Sequence, residues 1–264
     1  MQSIDLTSPG SPVRLAGIAG TTPGGSGAAT QRLPPQALGQ LFDPAISVVS
    51  SMPSGGRIEM VTDAAEIELT LHVTTIELAG RAPWPASVDL VVDGAVVDGA
   101  PVGPGNVLRI PDPMSVEFDF IPGEAATARF ALSGGSKRVE IWLPQNAAVE
   151  LVSLRVDDAA TVSPPPAPSW RWVHYGSSIS HCLEAERPTG VWPVVAARQA
   201  GVDLFNLGLA GQCHLDQFVA RTICDLRADV ISLKVGINVV NADSMRERSF
   251  VPAVHGLLDT IRDG

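Results

Sequence analysis

The sequence contains little lysine, few aromatic residues and no long apolar run. Lys137 and Lys234 are the two lysines among 264 residues, and the net charge is −10 at pH 7. Such an acidic chain offers no basic patch for phosphates, so we expect no binding to nucleic acid. No apolar run reaches the ~18 residues that a membrane-spanning helix needs, and the first twenty residues lack the pattern of a secretory signal. These absences predict a cytoplasmic protein with no membrane partner.

Cysteine is scarce as well, and no two cysteines form a C-x-x-C pair. Cys182, Cys213 and Cys224 are the three present, which favours buried thiols in a reducing compartment. The pairs His181-Cys182 and Cys213-His214 leave a zinc site or a Cys182–Cys213 disulfide open as alternatives. Adjacent ligands rarely reach one metal with good geometry, so we expect no metal and no cofactor.

The first part of the chain has the period-two pattern of antiparallel strands. Apolar side chains alternate with polar ones from Ile67 to Val73, and Asp93-Gly94 stands between two apolar runs as a hairpin turn. Many short strands of this kind predict an accessory β-sandwich of jelly-roll type over residues 36–162. Residues 1–35, rich in glycine, proline, serine and threonine, are expected to be a flexible lead-in.

A proline-rich linker at residues 163–169 separates this pattern from a different one. In residues 170–264 short apolar strands alternate with helical segments, which is typical of a parallel α/β sheet. The strands are expected at Trp170–Tyr175, Val202–Leu207 and Val230–Val235. The helices are expected near Trp192–Ala200, Leu215–Leu226 and Ser244–Arg262.

Three motifs of small and polar residues follow the three strands of the second part. The first is Gly176–Ser180, the second Asn206–Gly211 and the third Gly236–Asn238. Ligands of open α/β sheets bind at the carboxyl ends of the strands, where all three motifs are expected. A tight turn after a strand can expose a nucleophilic serine beside free backbone N–H groups. The motifs therefore predict an acyl-transfer site. A phosphate-binding loop at Gly208–Gly211 is a weaker alternative, because nucleotide-binding spacing is absent.

These motifs resemble those of the SGNH (GDSL-type) esterase and acyl-hydrolase superfamily. With the β-rich first part, the chain is similar to the two-domain carbohydrate esterases of family two. The resemblance implies a flavodoxin-like parallel α/β domain at 170–264. It also implies that Ser178 is the nucleophile, and that the N–H groups of Ser178 and Gly211 and the amide of Asn238 form an oxyanion hole. His181 and His214 are expected to rim this site and contact substrate.

The sequence departs from the family pattern at three places. Ser177 stands where the family has aspartate, and its hydroxyl is expected to make part of the turn hydrogen bonds that this aspartate makes. The second hydroxyl also makes Ser177 a rival nucleophile to Ser178. Val239 replaces the aspartate after Asn238, which removes a polar support of the amide. The Asp-x-x-His motif of the general base does not follow Asn238, so we expect the α/β domain to be incomplete, with the base lying beyond Gly264.

The sequence thus predicts a serine esterase, acyl hydrolase or acyltransferase that acts on an acyl ester of a sugar or small metabolite. Its partner would be that small-molecule or carbohydrate ester. The alternative is a carbohydrate-binding β-sandwich attached to a degenerate, non-catalytic hydrolase domain, in which Trp84 and Trp142 would be available to stack on sugars.

Overall fold

The computed structural model describes residues 1–40, 43–81, 84–112 and 117–264. In this part of the chain, two mainly antiparallel sheets stack face to face and are followed by a small parallel sheet with helices. The eight strands of the first sheet are β1 (Gln2–Ile4), β3 (Gly20–Pro23), β4 (Ala28–Gln31), β6 (Glu66–Leu78), β9 (Asn106–Ile110), β10 (Asp119–Ile121), β11 (Ala126–Ala131) and β13 (Ala147–Val156). The six strands of the second sheet are β2 (Arg14–Ala16), β5 (Arg57–Thr62), β7 (Ser87–Val92), β8 (Ala95–Pro101), β12 (Lys137–Trp142) and β14 (Val162–Ser163).

The apolar faces of these two sheets make one continuous core. Ile67, Leu69 and Leu71 of β6 are fully buried against residues of the second sheet such as Ile58 and Ile141. Each such side chain contributes roughly 1.5–3 kcal/mol when it is removed from water. The period-two pattern of the sequence therefore predicted the buried face correctly, and the β-sandwich is confirmed.

The predicted hairpin also forms. Asp93 and Gly94 have φ values of 48° and 82° and connect β7 to β8, which pair antiparallel. Positive φ at both central residues is what a type I′ turn requires.

The first 35 residues differ from the expected flexible lead-in. They form β1 to β4, and β1 and β4 pair with β13 while β2 pairs with β5. The side chains of Leu6, Val13 and Ile18 lie in the sandwich core. Strand pairing and this burial stabilise a segment whose composition alone favours a loop.

Three parallel strands form the sheet of the second part: β15 (Arg171–Gly176), β16 (Asp203–Gly208) and β17 (Val230–Lys234), in the order β16-β15-β17. The helices around it are α3 (Ser178–His181), α4 (Trp192–Ala200), α5 (Gln217–Asp225), α6 (Ile237–Asn241) and α7 (Glu247–Asp263), with a 3-10 turn at Pro188–Gly190. The parallel α/β arrangement predicted for this part is confirmed.

The two parts share a border that the sequence pattern did not predict. Helices α1 (Pro35–Leu38) and α2 (Pro44–Ser51) precede the long strands of the sandwich in the chain. Their buried side chains Ala37, Ile46 and Val49 nevertheless belong to the core of the α/β part. None of the helices in the described ranges is long and apolar enough to cross a membrane.

Candidate active site

The three motifs lie together because the three strands end in register. Gly176 at the end of β15 pairs with Gly208 of β16 on one side and with Lys234 of β17 on the other. The backbone N–H of Leu209 donates to the carbonyl of Gly176 at 2.8 Å, which joins the first two motifs directly. The carboxyl edge of the sheet therefore carries all three.

The two adjacent serines of the first motif have opposite environments. Ser178 is the first residue of α3 and is exposed. Ser177 is fully buried, and its Oγ has no hydrogen-bond partner in the described part of the chain. Ser177 therefore does not supply the turn hydrogen bonds expected of it, and of the two hydroxyl groups that of Ser178 is the one open to solvent.

Helix α3 packs unusually closely on β16. A Cβ at Gly208 would lie 2.4 Å from the backbone N of His181 and from the carbonyl carbon of Ser180. This close approach requires glycine at two paired positions, Gly208 and Gly176. A Cβ at Gly176 would clash with the Ser180 side chain. The position of Ser178 is fixed by this contact.

Behind α3, His174 of β15 joins two hydroxyl groups. Its Nε2 lies 2.7 Å from Ser180 Oγ, and its Nδ1 lies 2.7 Å from Ser232 Oγ, which also accepts from Trp172 Nε1. Burial lowers the pKa of His174 to about 4. The ring is therefore neutral, as expected for a packed strand residue. Its hydrogen bond to Ser180 connects β15 to α3.

The third motif is tied to the loop that follows the second. Asn238, the second residue of α6, is buried, and its Oδ1 accepts a hydrogen bond of 3.1 Å from the backbone N–H of Cys213. This bond fixes the amide and leaves its N–H₂ group to donate. It supplies the polar support that Val239, itself buried, does not offer.

Gly211 lies in the same loop with a φ of +73°, in the left-handed region that favours glycine. Its carbonyl contacts Nε2 of His214 at 3.1 Å, and the other ring nitrogen of His214 contacts Ser244 Oγ at 3.0 Å. His214 is half-buried beside the candidate oxyanion loop, where a substrate contact remains a prediction.

His181 does not lie at the rim of the site. It is fully buried, its Nε2 donates to the carbonyl of Gln145 at 2.7 Å, and its Nδ1 accepts from the N–H of Ala210 at 3.4 Å. Burial lowers the pKa of His181, so the ring is neutral. The expected substrate contact is replaced by a structural role, because the ring connects the sandwich to the second motif.

Arg32 is a residue of this region that the sequence did not indicate. Its guanidinium is fully buried and donates to the carbonyls of Asn206 at 2.9 Å, Gly208 at 2.7 Å and Val49 at 2.8 Å. Burial lowers the pKa of Arg32 to about 9. Because its partners are backbone carbonyls of distant segments, no motif or spacing in the sequence could have revealed it.

No histidine of the chain is hydrogen-bonded to Ser178 in the described structure. His72 lies in the sandwich and contacts Gly123, and His255 is exposed on α7. The remaining three have the partners given above. The described side chains therefore place no imidazole in hydrogen-bond contact with the Ser178 hydroxyl.

A cavity of about 460 Å³ opens beside Ser178. Its lining comes from α3, from the segment after it, from Trp192 at the start of α4 and from Trp84 in the sandwich. In the alternative function, the sequence made Trp84 available to stack on a sugar. Trp142, the other tryptophan suggested for stacking, is buried and unavailable, with its Nε1 bonded to Glu140 and Arg57 over its ring.

The three cysteines are free thiols, so the disulfide considered for Cys182 and Cys213 is not formed. Burial raises the pKa of Cys213 to about 11. In the described ranges, no group of three or more His, Cys, Asp or Glu side chains could hold a metal ion.

Residues 170–259 match the family model described as GDSL-like lipase/acylhydrolase. A search of the curated proteins gave no match.

Three solved structures share the fold. A salicylyl-acyltransferase from a tetracycline biosynthetic pathway aligns with a TM-score of 0.84 and 26% identity, over 99% of this chain and 69% of that chain. A Bacteroides ovatus protein described as a GDSL-like lipase aligns with a TM-score of 0.65 and 18% identity, over 96% and 68%. A family two carbohydrate esterase from Clostridium thermocellum, solved with cellohexaose, aligns with a TM-score of 0.55 and 12% identity, over 80% and 68%.

The resemblance predicted from the sequence is therefore confirmed: residues 170–259 match the GDSL-like lipase/acylhydrolase model, and the fold of the whole chain is similar to those of a solved acyltransferase and a solved esterase.

Proposed function

We propose that this chain carries the nucleophile and the oxyanion donors of a serine acyl-ester hydrolase or acyltransferase. One observation carries the proposal: Ser178 is exposed in the wall of a cavity, at the sheet edge where Asn238 is bonded to the loop of Gly211. A reachable hydroxyl next to fixed N–H donors is the arrangement that acyl transfer requires.

In the proposed reaction, Ser178 Oγ attacks the carbonyl carbon of an ester and its proton passes to a general base. The tetrahedral intermediate collapses, the bond to the alcohol oxygen breaks, and the alcohol leaves with the proton. Water or an acceptor hydroxyl then attacks the acyl-serine, releasing the acid or a new ester and restoring the Ser178 hydroxyl.

The oxyanion would be stabilised by the N–H groups of Ser178 and Gly211 and by the amide of Asn238. No intramolecular acceptor engages the N–H of Ser178 or of Gly211 in the described part of the chain. Donors of this kind, fixed before the reaction, are each typically worth about 10²–10³ in rate.

The general base is assigned by resemblance to a His/Asp pair in an Asp-x-x-His motif, which residues 239–264 do not contain. Without a base, a serine hydroxyl attacks slowly at neutral pH. The substrate is proposed to be an acyl ester of a sugar or small metabolite, in keeping with the salicylyl-acyltransferase and carbohydrate-esterase neighbours.

The test is hydrolysis of p-nitrophenyl acetate by the unaltered chain and by Ser178→Ala and Ser177→Ala, each with and without added imidazole as an external base. With imidazole as the base, Ser178→Ala should lower the protein-dependent rate about tenfold or more, whereas Ser177→Ala should leave it within a few-fold. Imidazole cleaves this ester by itself, so the rate without protein is subtracted at each imidazole concentration. The remaining rate should rise with imidazole for the unaltered chain and not for Ser178→Ala.

Two results would contradict the proposal. One is a Ser178→Ala protein as fast as the unaltered chain under both conditions. The other is loss of the reaction in Ser177→Ala with no loss in Ser178→Ala, which would give the nucleophilic role to the buried serine.

A further inference from the structure

We propose that the cavity beside Ser178 binds a flat, apolar ring of the substrate ester. The inference rests on the proposed function and names the substrate class for that site. The ring belongs either to the acyl group or to the alcohol, since both flank the carbonyl that Ser178 attacks.

The chemistry of the cavity wall favours such a group. Most of the lining is apolar: Trp84, Ile179, Leu183, Ala185 and Trp192. Apart from Ser178, the polar side chains in the wall are the thiol of Cys182 and the carboxylate of Glu184. Glu184 is exposed and lies 3.6 Å from Arg81.

Trp192 presents a rigid aromatic face. Its Nε1 donates to the carbonyl of Ile179 at 2.8 Å, and its ring lies edge-on to His174 with centroids 5.0 Å apart. The ring of Trp172 packs against another side of Trp192, with the two ring centroids 6.2 Å apart. About 39% of Trp192 remains exposed, so a ring fixed on two sides still has surface free toward the cavity.

Trp84 provides an aromatic surface from the other part of the molecule. It belongs to the loop between β6 and β7 of the sandwich, yet it lines the same cavity as Ser178. It also lines a neighbouring cavity of about 280 Å³ formed with residues such as Pro85, Pro101 and Pro104. The sandwich therefore contributes directly to the surface that a substrate meets.

A bare acetyl group or a sugar ring fits this wall less well than an apolar ring does. The volume of about 460 Å³ lies in the range of pockets for ligands much larger than acetyl. A sugar would bring hydroxyl groups to a wall with few partners, and burying a hydroxyl without a hydrogen bond costs about 1–3 kcal/mol. Aromatic side chains bind flat rings by offset or edge-on contact.

The test measures binding rather than turnover, on Ser178→Ala protein, so that no ester is consumed. Ligand-observed NMR titrations would compare methyl benzoate and phenyl acetate, which are isomers that carry the ring on the acyl and the alcohol side. Methyl acetate and methyl α-glucoside are the comparison ligands. At least one ring ester should bind about tenfold or more tightly than both comparison ligands, and the better isomer identifies the side that the cavity takes.

Two further variants connect this binding to the cavity. In the Ser178→Ala background, Trp84→Ala should weaken the ring ester about tenfold, while Trp170→Ala, which removes an exposed tryptophan outside the cavity, should not. Gly190→Leu should also weaken binding by filling the cavity, since the first atom that a Cβ there meets is Arg187 Cγ at 3.4 Å.

Equal binding of ring and comparison ligands, or ring binding that neither Trp84→Ala nor Gly190→Leu weakens, would overturn the inference. Failure of the proposed function is seen separately, in the hydrolysis by protein that retains Ser178. Ring binding without Ser178-dependent hydrolysis would keep the cavity assignment and contradict the reaction.

Discussion

At the scale of single residues, solvent access distinguishes two serines that the sequence leaves equivalent. Ser177 and Ser178 are adjacent, and either is chemically able to attack an ester. Only the packing of α3 buries the first and exposes the second. Ser177 stands at the position where the SGNH pattern has an aspartate. Its buried Oγ has no hydrogen-bond partner among the described residues.

The buried His174 should make stability depend on pH. Its pKa is about 4 in the folded protein, below the ordinary value of 6.5, because burial disfavours the charged ring. The unfolded chain therefore binds a proton that the folded chain does not as pH falls from 6.5 toward 4. The contribution of His174 to stability is complete above pH 6.5 and is lost below it.

We expect the free energy of unfolding to fall by about 2 kcal/mol between pH 6.5 and 5 through this residue. Urea titrations at several pH values would measure the slope. His174→Asn should reduce the slope and leave the part that comes from His181, whose pKa is also lowered by burial. His255→Asn, at an exposed position of α7, should keep the profile of the unaltered protein. An unchanged slope in His174→Asn would contradict the assignment.

At the scale of elements, the site depends on how closely one short helix lies on one strand. The sequence predicted strand ends and glycines correctly, and β15, β16 and β17 begin and end within a residue or two of the expected positions. It did not predict the short helix α6. It also did not predict that α3 packs on Gly208, because a glycine in a motif does not indicate which backbone segment will contact it.

Gly208→Ala should therefore disrupt the site without removing any functional group. Its Cβ would meet backbone atoms of Ser180 and His181 at 2.4 Å, so α3 and Ser178 must move. We expect a loss of about 2–3 kcal/mol in the free energy of unfolding and a fall in Ser178-dependent hydrolysis.

The control for this change is Gly134→Ala, where no atom lies within 4 Å of the new Cβ. Its stability should stay within about 0.5 kcal/mol of the unaltered protein. Equal stability of the two variants in denaturant titrations would show that α3 tolerates the methyl group.

At the scale of the whole molecule, the β-sandwich contributes residues to the candidate site and is not a separate attachment. The Arg32 guanidinium donates to the backbone carbonyls of Asn206 and Gly208. The ring of His181 donates to the carbonyl of Gln145 in the sandwich, and Trp84 lines the cavity beside Ser178. Ion pairs add to this border, including Arg57 with Asp203 and Arg187 with Asp89. The two parts should therefore unfold together.

Arg32→Met tests this connection. It removes the Arg32 donor from the carbonyls of Asn206 and Gly208, while the Val49 carbonyl keeps the N–H of Met52 at 3.3 Å. Each buried unsatisfied group costs about 1–3 kcal/mol, partly offset because a charge is no longer desolvated. We expect a net loss of about 3 kcal/mol in the free energy of unfolding, measured by denaturant titration.

Arg129→Met is the matched control, since Arg129 makes a salt bridge to Glu68 with a side chain that is 70% exposed. An exposed pair of this kind is worth at most about 1 kcal/mol. If Arg32→Met costs no more than Arg129→Met, the buried guanidinium does not hold the two parts together.

The sequence by itself determined the class of each half, because hydrophobic period and turn residues are local properties of the chain. It also determined the order of the three motifs, and hence the resemblance that the match of residues 170–259 confirmed. The tertiary structure decided which serine is reachable, that residues 1–35 join the sheets, that His181 is buried, and that Arg32 and Trp84 meet the hydrolase-like part. These depend on contacts between segments that are distant in the chain, from 36 residues for His181 with Gln145 to 174 for Arg32 with Asn206, and no local pattern records them.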